Sequence, residues 1–213
     1  MLFYMKVKNL KEEMMIIRNK AYKMNILSVF IAIIIIQTSI PGLGNIPIGP
    51  LSVTIIPITV VLAAILLGTK DGAIVGGIWG LITFIRAFWW PTSPLAIYVF
   101  TNPIVSILPR ILVGLVAGLI FTHLYKPNKP YRMYMAITGF VSSLVNTVVL
   151  LGLVYVFYRG DAFNIYHINV DQLLPYLLFV AATNGLIEAI LSAALVPVIG
   201  SPLLRIRKKS TDD

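Results

Sequence analysis

The 213-residue chain carries 17 Lys and Arg against 8 Asp and Glu, yet 58% of it is hydrophobic, 12% is charged and its mean hydropathy is +0.90. A soluble domain devotes about a quarter of its residues to charge, so this composition excludes a water-soluble globular protein and places the chain in a bilayer. Having no cysteine excludes disulfides, thiolate metal sites and cysteine nucleophiles, and the net charge of +9 reads as loops facing an anionic leaflet, not as a nucleic-acid surface.

Residues 1–24 form a cytoplasmic N-terminal segment in which Leu2, Phe3, Tyr4, Met14, Met15, Ile16 and Ile17 alternate with lysines and glutamates. That pattern fits either a helix lying on the inner surface or a partly ordered tail. The first apolar run lacks an A-x-A-like cleavage site after Gln37-Thr38-Ser39 and reads as a retained span.

A spanning helix needs about 20 mostly apolar residues. Six such stretches lie at 25–40, 51–69, 72–90, 98–123, 133–158 and 173–199, which predicts an all-α membrane domain over 25–199 followed by a basic tail at 200–213. An even number of spans puts both termini on one side. With an interior start, fourteen of the seventeen basic residues fall inside, Arg159 alone is left for an outer loop, and Arg86 and Arg110 lie within apolar spans. Both termini are therefore expected in the cytoplasm.

The first outer loop, 41–50, is uncharged and punctuated by Pro41, Gly44, Pro47 and Gly49. Small residues recur at every fourth position in the spans that follow: Gly72, Gly76 and Gly80, then Gly114 and Gly118, then Ala189 and Ala193. Ser28 and Ala32 repeat the spacing in the first span. Such faces let helix backbones approach closely in lipid, either within one bundle or against another membrane subunit.

Little in the sequence assembles an enzyme. His123 and His167 fall on opposite sides of the bilayer and cannot share a metal ion. No P-loop, G-x-G-x-x-G or H-E-x-x-H occurs, and Glu188 is the sole carboxylate within a span. No cofactor is expected.

Ionisable groups inside a bilayer cost about 3 kcal/mol even on insertion scales, which singles out Arg86, Arg110 and Glu188. Arg86 lies beside Trp89 and Trp90 and can snorkel to the outer headgroups. Arg110 lies too deep for that, and is expected either to pair with Glu188 or to offer its planar fork to a ligand anion. Gln37, Asn146 and Asn184 bring amides from three further spans to the outer or middle depth, which suggests a cavity for a small polar molecule. Pro103 and Pro109 disturb the fourth span and leave carbonyls to be satisfied otherwise.

These residues resemble a known family. Ile46-Pro47-Ile48-Gly49-Pro50-Leu51 with Thr54-Ile55, then Leu67-Gly68-Thr69-Lys70-Asp71-Gly72-Ala73, Asn102-Pro103, Leu108-Pro109-Arg110 and Asn184-Gly185-Leu186-Ile187-Glu188-Ala189 look like the substrate-binding S components of energy-coupling factor (ECF) vitamin transporters. The likeness covers most of 25–199 and is nearest the pantothenate-specific branch.

The resemblance implies a six-helix bundle in a prokaryotic cell membrane, partnered by a transmembrane coupling subunit and two cytoplasmic ATPase subunits. It further implies that loop 41–50 covers a vitamin, which toppling of the loaded subunit then delivers inward. On this reading Arg110 takes the pantothenate carboxylate and Asn146, Asn184 and Gln37 its other polar groups. Asn45, Glu188, Trp79 and Arg86 complete the expected site, with Trp79 or Trp89 shielding methyl groups. The family's Ala-xxx-Ala docking face is replaced here by Ser28-xxx-Ala32.

The competing readings are an S component for pyridoxine or a thiamine pyrimidine, a lipid-acting intramembrane enzyme, and a self-sufficient channel or secondary transporter. The enzyme would need a base or metal cluster near an interface. The self-sufficient transporter would work without an ATPase.

Overall fold

Helix α1 runs unbroken over Leu2–Ser39, so the amphipathic start and the first span, expected to meet near residue 24, are one continuous rod. The computed structural model describes residues 2–212 except 41, 49–50, 92–93, 126–129 and 162–169; Pro41 and Gly49 of the first outer loop, and His167, therefore lie outside the described residues. An antiparallel hairpin of β1 (Asn45–Ile48) and β2 (Leu51–Thr54) follows, in register from Asn45 opposite Thr54 to Ile48 opposite Leu51. Among the described residues the remaining α-helices are α2 (Ile56–Leu67), α3 (Thr69–Trp89), α4 (Pro94–Val99), α5 (Pro103–Leu124), α6 (Tyr131–Tyr158), α7 (Val170–Val180) and α8 (Leu186–Asp212). A π-helical turn, Ala181–Gly185, joins the last two, and α8 continues through the segment expected as a separate tail.

Among the described residues, five helical segments are long and apolar enough to cross a membrane: Lys20–Ser39, Thr69–Trp89, Pro103–Leu124, Tyr131–Tyr158 and Gln172–Arg207. The stretch 51–69, expected as the second span, divides differently. Its first four residues pair as β2, and the 12 residues left in α2 reach only about 18 Å, short of a hydrocarbon core of about 30 Å. Every residue of α2 is buried, so this helix sits inside the bundle, where a segment apolar on all sides belongs. Gly68, with φ at +103°, provides the left-handed bend into α3.

The most extensive helix pairing is α3 with α5, built on the glycine spacing read from the sequence. A Cβ placed on Gly114 would fall 2.1 Å from the Gly72 carbonyl oxygen, and one on Gly118 would fall 2.4 Å from the Thr69 Cα. The two backbones touch, which is how helices gain dispersion energy in a solvent as apolar as their side chains. Val75, Trp79, Val113 and Ala117 continue this seam into the core around α2, with Phe30 and Ile34 closing it from α1.

Polar contacts mark the two ends of the bundle. At one end Lys23 pairs with Asp71 at 2.5 Å, Arg205 Nε donates to the Tyr131 hydroxyl at 3.1 Å, and Arg207 donates to the Leu66 carbonyl. At the other end Arg86 joins α3 to the C-terminus of α1 by donating to the Thr38 carbonyl.

Candidate functional site

Arg110 is held by a defect in its own helix. Pro109 has no N–H to give to Val105, so the Val105 carbonyl is left free, and Arg110 Nη1 donates to it at 2.8 Å. This bends the guanidinium back along α5, where its central carbon lies 5.2 Å from the Trp79 ring and 5.0 Å from the Phe100 ring. Two aromatic faces stabilise the cation within a setting that leaves Arg110 only 4% exposed. The Nε has no hydrogen-bond partner.

The guanidinium faces a cavity of about 250 Å³. From α6, Asn146 reaches the same space, 6% exposed, with Oδ1 unpartnered. Asn184 enters from the π-helical turn, again with an unpartnered Oδ1. Close approach sets the position of that turn, since a Cβ on Gly185 would meet Thr147 of α6 at 2.6 Å. Wide turns of this kind interrupt α-helices mainly at functional positions. One buried donor and two buried acceptors, all unsatisfied and all facing one hollow, are an uncommon arrangement, because each costs about 1–3 kcal/mol.

Glu188 lines the cavity from α8, opposite the hairpin. It is not directly paired with Arg110, since among the described residues the one ion pair is Lys23–Asp71. Its Oε1 accepts the backbone N–H of Thr54 at 2.7 Å, and the Thr54 hydroxyl donates to Asn45 Oδ1 at 2.9 Å. The first residue of β1 and the last of β2 thereby form one wall of the cavity.

Arg86 and Trp79 also line the cavity, but Arg86 is largely satisfied, donating Nε to the Trp90 carbonyl at 3.0 Å as well as reaching Thr38. Trp79 is buried at 3% exposure, whereas Trp89 is 77% exposed and stands apart from the site. Gly44 lies where the chain enters the hairpin, its carbonyl accepting the Ile55 N–H at 2.9 Å, and Pro47 lies within β1.

The structure does not bring Gln37 to the site. Its Oε1 accepts from the Thr59 hydroxyl at 2.9 Å, and it lines a separate apolar groove between α1, α2 and α8. Ser28 and Ala32 are exposed on α1, as a face available for contact requires. Thr38, Thr54, Thr83, Phe100 and Thr147 belong to the cavity wall but were not among the expected site residues. Hydroxyls and aromatics carry no insertion penalty large enough to stand out in sequence. The Thr54-Ile55 motif was the nearest available signal.

The family model for the substrate-specific component of ECF transporters matches residues 22–200. The chain is 37% identical over 198 residues to the pantothenate transporter PanT of Leuconostoc mesenteroides, covering 90% of this chain and 97% of that protein. It is 28% identical over 207 residues to the pantothenic acid transporter PanT of Lactococcus lactis, covering 91% and 99%.

Proposed function

The chain belongs to the substrate-specific components of ECF transporters, and from that premise we propose that it captures pantothenate and presents it to an ATP-driven coupling module. The observation that carries this reading is the set of orphaned groups around one cavity: Arg110 Nε as donor, with Asn146 Oδ1 and Asn184 Oδ1 as acceptors. Pantothenate supplies the complements. Its carboxylate accepts from the guanidinium fork, its amide N–H and hydroxyls donate to the asparagine oxygens, and its methyl groups fit against Trp79 and Phe100. Both names among the similar proteins specify the same vitamin.

The test is a binding isotherm of the purified chain against pantothenate, pyridoxine and a thiamine pyrimidine. Pantothenate binds tightest if the assignment is right; a preference for a cationic ligand overturns it. Replacing Asn146 by Leu, which keeps the branching at Cγ but cannot hydrogen-bond, is expected to weaken pantothenate binding about tenfold by removing one hydrogen bond. The ligand-free protein is expected to melt no lower, because the substitution also removes an unpaired buried oxygen. Thermal unfolding with and without pantothenate measures both effects.

The positive-inside distribution supports cytoplasmic termini and a cavity that opens outward under the hairpin strands. Delivery then proceeds by reorientation of the loaded subunit against a transmembrane coupling protein served by two ATPases. The exposed Ser28 and Ala32 provide the close-approach face for that partner. Ala32→Leu is expected to reduce recovery of the assembled complex at least severalfold while leaving pantothenate affinity of the isolated subunit unchanged. Co-purification with the coupling module and the isotherm are the two readouts.

A further inference from the structure

We infer that Glu188 is a positioning residue: a latch that clamps the end of the hairpin to the last helix and so sets how long a ligand is retained, without contacting that ligand itself. The inference rests on the capture reading of the cavity. It starts from the bond between the Thr54 backbone N–H and Glu188 Oε1, 2.7 Å long and spanning 134 positions of sequence. Thr54 is the last residue of β2 and pairs in register with Asn45, the first of β1, to which its hydroxyl also donates. One carboxylate therefore holds a backbone donor at the root of both strands.

Among the described residues the neighbouring anchors are few. The hairpin root is otherwise fixed by the bond from the Ile55 N–H to the Gly44 carbonyl and by the buried Val53. A main-chain donor at a strand end ordinarily goes to water or to a third strand. Here it goes to a carboxyl oxygen on a spanning helix. The π-helical turn lies immediately before α8, so any change in that turn on filling the cavity beside Asn184 passes directly to Glu188 and from it to β2.

The experiment uses the full chain in lipid nanodiscs, with spin labels at Ser52→Cys on β2 and Met133→Cys, an exposed position on α6. The natural absence of cysteine makes these the sole labelling sites. Without ligand, the parent should give one narrow distance distribution, Glu188→Ala a broad one, and Glu188→Gln, which keeps an oxygen acceptor, a narrow one. A distribution as narrow in Glu188→Ala as in the parent overturns the latch. So does a distribution as broad in Glu188→Gln as in Glu188→Ala, since that would mean the charge acts by another route.

A second arm measures release of radiolabelled pantothenate. Loss of that bond predicts about tenfold faster release in Glu188→Ala with association unchanged. An affinity loss carried by slower association instead would overturn the inference, because loosening a latch cannot hinder entry. If pantothenate does not bind the parent, the ligand assignment fails while the ligand-free arm still decides the latch.

Discussion

Arg110→Ala is expected to weaken pantothenate binding by about 10- to 100-fold, the largest loss of any single substitution at the cavity. Hydrogen bonds to charged partners are worth about 1.5–3 kcal/mol each, and every 1.4 kcal/mol is a decade in Kd. The substitution removes the donor Nε, which has no protein partner, and the positive end of the site between Trp79 and Phe100. It also leaves the Val105 carbonyl unsatisfied, because Pro109 has no N–H to return to it. Some loss of folded protein therefore accompanies the loss of binding. Arg110→Lys separates the two: it keeps the charge and can still donate to Val105, but it lacks the planar fork. Arg110→Lys is expected to recover most of the thermal stability lost in Arg110→Ala and little of the lost affinity. An isotherm on the monodisperse fraction of each variant checks this, and unchanged affinity in Arg110→Ala rules the carboxylate assignment out.

The residues that could be read from the sequence were those whose burial is costly. A guanidinium, a carboxylate and two amides inside apolar spans each need a compensating partner, so their depth alone marked Arg110, Glu188, Asn146 and Asn184, and all four line the cavity. Depth is a single coordinate, however, and Gln37 shows its limit. It lies on a span as the others do but faces the groove between α1, α2 and α8, where the Thr59 hydroxyl donates to it. Which way a helix turns is fixed by packing, here by Phe30 and Ile34 entering the core, and no length or hydropathy argument contains that information. The division of 51–69 was missed for a related reason. An apolar run of 19 residues counts as one span, although the β-branched Val53-Thr54-Ile55 following Gly49-Pro50 is equally a strand signal. The matter is settled by the partner strand, β1. The role of Pro109 became physical only when its missing bond was seen to be taken by the next residue's side chain.

Gly76→Ala is expected to have the second large effect, through the scaffold and without touching the cavity chemistry. A Cβ at Gly76 would lie 2.1 Å from the Arg110 carbonyl oxygen and 2.8 Å from its carbon. Both are backbone atoms of α5, so no rotamer change relieves the contact, and α3 and α5 must separate along their main seam. Overpacking of this kind typically costs about 1–3 kcal/mol, and here it also moves the residue whose guanidinium must stay against Trp79, itself on α3. Stability and pantothenate affinity are therefore expected to fall together. Gly77→Ala is the internal control. At that position the same methyl would meet nothing closer than Ile111 Cγ1 at 3.5 Å, an ordinary contact, and replacing a helical glycine lowers the entropy lost on folding. The control is expected to melt at or slightly above the parent and to bind normally. Unfolding midpoints for the pair, measured in the same detergent, decide the point: equal midpoints would mean that α3 and α5 do not approach at Gly76 and that some other contact fixes the depth of Arg110.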